Sequence, residues 1–426
     1  MSQLGNNEIP LPETGNVVSE PDLQGLVPIE SDEKLDLLNE QSQDTDELLT
    51  IASTMEELNI ALDNISSSGV ISEPAACAIS TALEHLIKRS GVDYANAFSL
   101  ESFQGTASRR KALNAAIENI SDTIANIIRR IISWIKAVFE YIYDDIEHAV
   151  RGADAVARRA KRVQEEAIRL QGVGSSEQRK TTIKRRSITS FFNDNGAPMS
   201  FSEIADKYRN YNKEMNEGFS SNTLQNAVAH VANAVQQTVR RIGVKDFTNE
   251  EALIASNAGI IYLKENTFKN FKPAPETNGN ETLSYELPFG NSEIHAVLGK
   301  LDNTYNTVST SVVQNDVLSI KEIPALTPAE VIEFTKAIES DMHRGIYRDH
   351  LKIKAQLKDV GKIVTNTCDA ITKAQAQVGS GNIPSLHFLK TLTSTLLGLT
   401  KSVYKYSGLT NRTLLYYCED SLRAWA

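Results

Sequence analysis

The chain has 426 residues, 41% of them hydrophobic and 23% charged, with a formal net charge of −10. That length holds two or three domains and a sizeable core, and the composition excludes a wholly disordered polymer. Three widely spaced cysteines (Cys77, Cys368 and Cys418) exclude a disulfide framework, and there is no uncharged apolar run of the roughly 18–20 residues a membrane span needs.

Residues 1–30 carry Pro10, Pro12, Pro21 and Pro28 among Asn, Gly and Glu without apolar periodicity, and they read as disordered. Met1 is not followed by a basic and then an apolar stretch, so no secretory signal is read. From Ser31 the chain becomes acidic and periodic: Leu48, Ile51, Met55, Leu58, Leu62 and Ile65 mark one or two amphipathic helices. "SSSGVISEP" breaks them, and Pro74 is placed to open a short helix that ends near Gly91.

The strongest pattern follows. Leu113, Ile117, Ile120, Ile124, Ile127, Ile131, Trp134, Val138 and Tyr141 alternate steps of four and three. A second seam, Ile128, Ile132, Ile135, Phe139, Ile142 and Ile146, runs about 100° from the first, so the apolar face is wide. A face this wide suits a bundle better than a two-stranded coiled coil. Residues 102–170 read as one long amphipathic helical segment; an unbroken helix from Ala107 to Leu170 would be a rod of roughly 95 Å, with Gly152 as the expected kink or end.

Residues 171–199 read as a basic linker, and 200–426 as a helical body. Ser200 with Glu203 offers a capping box, and Leu224, Val228, Val231, Val235 and Ile242 form another helical stripe. Residues 257–291 predict a long loop with a small hairpin. Thr327-Pro328-Ala329-Glu330 combines N-cap, N1 proline and N3 glutamate. Helices are then expected over 328–344, 347–376, 384–406 and 411–423, punctuated by Gly345, Gly379–Gly381 and Gly408. The predicted fold is mostly α: an acidic, partly disordered N-terminal arm (1–101, partly helical over 30–90), a long amphipathic helix, then a C-terminal helical bundle with a small loop or hairpin region.

Chemistry-bearing motifs are missing. No HExxH, GxSxG, Walker A loop or strand-borne GxGxxG is present, and His343 and His350, seven apart, lack neighbours in ligand spacing. No catalytic residues, metal site or cofactor are assigned, and the reading is non-enzymatic. Charge is what the chain segregates. Residues 1–101 hold 19 acidic and 3 basic side chains, residues 102–190 hold 10 and 17, and the rest is near balance. The sign changes at "AFSLESFQG", residues 97–105.

Ser99-Leu100-Glu101-Ser102 resembles the maturation sites cut by prohead proteases of giant phiKZ-like tailed phages, which favour a small residue, any residue, then Glu. The segment around it is similar to their internal head proteins: an acidic propeptide, which the resemblance implies for 1–101, that motif, then an isoleucine-rich helix with Trp and Lys, here "IIRRIISWIKAVF". The resemblance covers Ser31 to Arg169 and is looser beyond. Ser or Ala precedes Glu by two residues eight times, and only Glu101 lies in the aperiodic gap where the charge reverses; the plainer reading of that gap is an interhelical loop.

The resemblance implies a virion structural protein of the head interior, made in the host cytoplasm. It would be a substrate of the prohead protease, associate through its helices with itself, the capsid or other internal head proteins, and be packaged with DNA and in some forms ejected with it. Arg129, Arg130, Lys136, Arg151, Arg158, Arg162 and Arg169 are candidates for sequence-independent DNA contact, or else simply solubilise the helix. The alternative is a membrane-active ejected or secreted effector, in which the helix 113–146 meets a host bilayer surface.

Overall fold

The computed structural model describes residues 33–68, 72–91, 106–172, 181–214, 248–301, 304–315, 320–373 and 382–425. The stretches 1–30, 92–105, 224–242 and Gly379–Gly381 lie outside the described residues, and with them the predicted stripe at Leu224–Ile242.

Two helices precede the central one, α1 (Glu33–Ser68) and α2 (Glu73–Ser90). Pro74 sits in the first turn of α2 and Gly91 ends it, as the sequence predicts; Gly91 is at φ 60° and its N–H donates to the Lys88 carbonyl. The central helix α3 (Thr106–Gly172) runs unbroken for 67 residues, about 100 Å. Gly152 therefore ends nothing. Its flanks, Ala149, Ala153, Val156 and Ala157, are buried, and this packing outweighs the helix-breaking tendency of one glycine.

The stretch read as a basic linker is, from residue 181, part of the body. Strand β1 (Thr182–Ile183) pairs antiparallel with β8 (Ile323–Pro324). A short helix α4 (Arg186–Phe191) precedes a hairpin of β2 (Asn193–Asp194) and β3 (Ala197–Pro198). Asn195 and Gly196, both at positive φ, make that tight turn. Ile188, Phe191 and Phe192 are buried; the Phe192 ring stacks edge-on to Phe289 at 5.4 Å. Helix α5 (Phe201–Glu214) starts on the predicted Ser200/Glu203 capping box.

The largest departure from expectation lies at 257–291. Helix α6 (Asn249–Asn266) fills its first part. A four-stranded antiparallel meander follows, β4 (Lys272–Thr277), β5 (Asn280–Glu286), β6 (Ser292–Leu301) and β7 (Thr304–Gln314), in that spatial order. Ile294, Ala296 and Leu298 alternate inward, so one face is buried. Strand β7 is an edge, and helix α10 (Asn382–Arg423) covers it: the Thr395 hydroxyl donates to the Val308 carbonyl at 3.1 Å. Gly398 makes that approach feasible, because a Cβ there would lie 2.1 Å from Thr310 Oγ1.

Between them lie α7 (Pro328–Met342), α8 (Gly345–Arg348) and α9 (His350–Lys373). The Thr327–Glu330 box caps α7 reciprocally, as predicted. Gly408 does not divide α10; Tyr404, Tyr406, Leu414 and Leu415 are buried on either side and hold one continuous helix. The molecule is mostly α, with α3 as its axis and α1, α7, α9 and α10 packed along it.

Candidate functional site

The two predicted seams of α3 are the core of the protein. Ile120, Ile127, Ile131, Trp134, Val138 and Tyr141 of the first are buried, as are Ile128, Ile132, Ile135, Phe139, Ile142 and Ile146 of the second. The wide apolar face is thus occupied by the chain's own helices. Among the described residues, no helix is long and apolar enough to cross a membrane.

The opposite face carries the predicted basic residues. Arg129, Arg130, Lys136, Arg151, Arg158, Arg162 and Arg169 are all exposed. At 100° per residue they fall within about 120° of arc, along about 60 Å of helix. Glu140, Asp144, Glu147, Asp154 and Glu165 share that arc on the same ideal geometry, so the stripe is mixed in sign. Some of the cations are engaged within the fold. Arg129 donates to Asn126 Oδ1 at 2.7 Å, and Arg151 lies 3.7 Å from Glu147, whose carboxylate also accepts from Lys354. Hydrogen bonding to Lys354 holds the Glu147 carboxyl below its usual range. Such a surface favours weak, salt-sensitive contact with a polyanion and offers no aromatic platform for base readout.

Arg130 stands apart. Its Nη1 donates to the Ser90 carbonyl at 2.7 Å and so ties the end of α2 to α3. It belongs to a second site that sequence reasoning missed, the seat of the acidic N-terminal helices on the body. Leu38, Leu48, Leu49, Ile51, Met55 and Leu62 of α1 are each no more than 8% exposed. Helix α1 packs on α3 and touches α10. Trp134 Nε1 donates to the Leu38 carbonyl at 3.0 Å. Lys390 of α10, 6% exposed, places Nζ 2.5 Å from Asp46 Oδ2 and 5.6 Å from the centroid of the Trp134 ring. Asn249 at the start of α6 donates to Glu56 at 2.9 Å. Beside Lys390, burial pushes the His387 imidazole below its usual range, so it is neutral near pH 7.

One signal in the sequence could have exposed this seat: Lys390 is the only Lys, Arg, Asp or Glu in the run Leu386–Thr400, which apart from His387 is otherwise apolar or hydroxylic. A cleft of about 400 Å³ opens at the rim, lined by Ser42, Trp134, Ser309, Ser311, Lys401 and Lys405 among others, with no carboxylate in its lining.

The predicted cut site, Ser99, Leu100, Glu101 and Ser102, lies outside the described residues, between Gly91 and Thr106. His343 caps the C-terminus of α7 and is exposed, while His350 Nδ1 donates to the Tyr347 carbonyl at 2.6 Å; the fold does not bring them into a common site. Cys368 and Cys418 are buried and form no disulfide, and burial pushes the Cys368 thiol up to about 12. Among the described residues, no three His, Cys, Asp or Glu side chains are arranged to hold a metal ion.

A rod-like central helix with its apolar face filled by its own chain and a charged outer face makes this a mostly α-helical protein built around one long helix. The family model of phiKZ-like phage internal head proteins matches residues 30–420, and the chain belongs to that family. The family places it in the interior of the virion head, in association with the head. No curated protein and no solved structure matches the chain significantly.

Proposed function

We propose that the protein is a non-enzymatic structural component of the phage head interior, matured by the prohead protease after Glu101 and packaged with the genome. The observation that carries the reading is where the charge reverses. The excess of 16 negative charges ends at Glu101, and residues 102–190 carry an excess of seven positive charges. Residues 99–102 fall in the connection between α2 and α3, whereas the Ser/Ala-x-Glu triplets at Glu84 and Glu118 lie inside those helices, where the backbone amides are already bonded.

With the leader gone, the remaining chain has a formal charge of +6, and Arg129, Lys136, Arg151, Arg158, Arg162 and Arg169 face the incoming polyanion. Contact is independent of base sequence and driven by counterion release. The intervening carboxylates keep it weak, which suits a protein that must share a crowded head with DNA and leave with it on ejection. Before packaging the intact chain resides in the host cytoplasm. No particular observation favours the membrane-active role, whose apolar surface is filled in the folded chain.

The test is co-expression with the phage's own head protease. The cut product should begin at Ser102, and Glu101→Gln should remain whole. A product with any other N-terminus, or cleavage of Glu101→Gln at the same bond, removes the proposal.

A further inference from the structure

We infer that α1 and α2 form a separable subunit of the fold, which stays seated on α3 and α10 when the backbone is severed after Glu101. This rests on the proposed function only for the position of the cut. The attachment does not depend on the peptide link. Every contact between leader and body described above is made by residues 38–90, ahead of the connection at 92–105. They reach three elements of the body, α3 through Trp134 and Arg130, α6 through Asn249 and α10 through Lys390. The apolar residues Ile51, Ala52, Met55 and Leu62 are at most 1% exposed, so this face is fully dehydrated. Arg89 of α2 also pairs with Glu47 of α1 at 2.8 Å, so the two leader helices touch each other as well as the body.

A consequence follows for maturation. Cutting the chain does not by itself reverse the charge of the particle, because the anionic piece remains bound to the cationic one. Loss of the leader requires a second event that breaks up α1, such as further proteolysis within it. That event leaves Lys390 without its Asp46 counterion and uncovers Trp134.

The experiment uses the full-length chain with a site for an unrelated sequence-specific protease in place of residues 96–102. Trp425→Phe leaves Trp134 as the single tryptophan. After complete digestion at micromolar protein, the two fragments should co-elute in size-exclusion chromatography in equal amounts, and Trp134 emission should be unchanged. Met55→Asp in the same background should weaken retention of the leader at least about tenfold, a change that corresponds to about 1.4 kcal/mol.

A leader recovered apart from the body, in solution or left behind by a precipitated body, with red-shifted Trp134 emission, overturns the inference. So does retention unaffected by Met55→Asp. If the engineered site resists digestion, co-expression of residues 1–101 and 102–426 as two chains gives the same readout. Because neither route uses the phage protease, failure here leaves the Glu101 cut intact, and failure of that cut leaves this docking intact.

Discussion

Met55→Ala distinguishes a docked leader from a loose acidic arm. Met55 lies on α1 at 0% exposure, in one contiguous apolar core with α3 and α10. Truncating a fully buried methionine removes its transfer energy and leaves a cavity, a loss of about 2–5 kcal/mol. Ile60, on the same helix and 41% exposed, serves as the control, and Ile60→Ala should stay within about 0.5 kcal/mol. The probe is Trp134, whose indole donates to the Leu38 carbonyl and so senses α1 directly. With a urea m-value of about 3 kcal/mol per molar, a loss of about 3 kcal/mol lowers the Trp134 unfolding midpoint by about 1 M. If both variants shift the midpoint equally and by less than about 0.2 M, the leader is not part of the core and the reasoning fails.

Two glycines of α10 should respond in opposite directions. Gly398→Ala drives a Cβ to 2.1 Å from Thr310 Oγ1 and 2.6 Å from the Thr310 carbonyl, which forces α10 away from β7; calorimetry should show a loss of about 1–3 kcal/mol. Gly408→Ala meets nothing within 4 Å inside a continuous helix and should gain about 0.5–1 kcal/mol.

Acid stability should depend on Glu281, whose carboxyl is held down to about 2 by hydrogen bonds from Lys264 and then Tyr305. The folded value lies below the unfolded one of 4.5, so the contribution is complete above pH 4.5 and disappears as pH falls toward 2. Glu281→Gln should cost about 1–3 kcal/mol at pH 7 and flatten the stability–pH curve between those values; an unchanged curve rules the linkage out.

Much of the helical frame was legible because local chemistry and burial agree there. Pro74 and Gly91 bracket α2, the Thr327–Glu330 box opens α7, and the two isoleucine seams of α3 coincide with the buried face. The meander was missed for physical reasons. Strand β7, "TYNTVSTSVVQ", is rich in Thr and Ser, so its alternation is not one of apolar against charged residues, and Gly299 and Lys300 interrupt the register of β6. Asn278 and Gly279, both at positive φ, make the turn between β4 and β5, but the sheet is held in place where α6 and α10 pack on β7, a contact that local sequence does not reveal. The division at Gly408 failed because helix propensity is a small term beside the buried tyrosines and leucines around it. The seat of the leader was only half visible. Its amphipathic face could be read, but its partner could not, since Asp46 and Lys390 are 344 residues apart.

The central claim is that this family member enters the head whole and is found there without its acidic leader. Intact-mass and N-terminal analysis of the protein from purified mature virions tests it most directly. The expected species begins at Ser102 and is depleted in peptides from residues 1–101. A full-length chain of 426 residues in infectious particles, with leader and body peptides in equal amount, contradicts it.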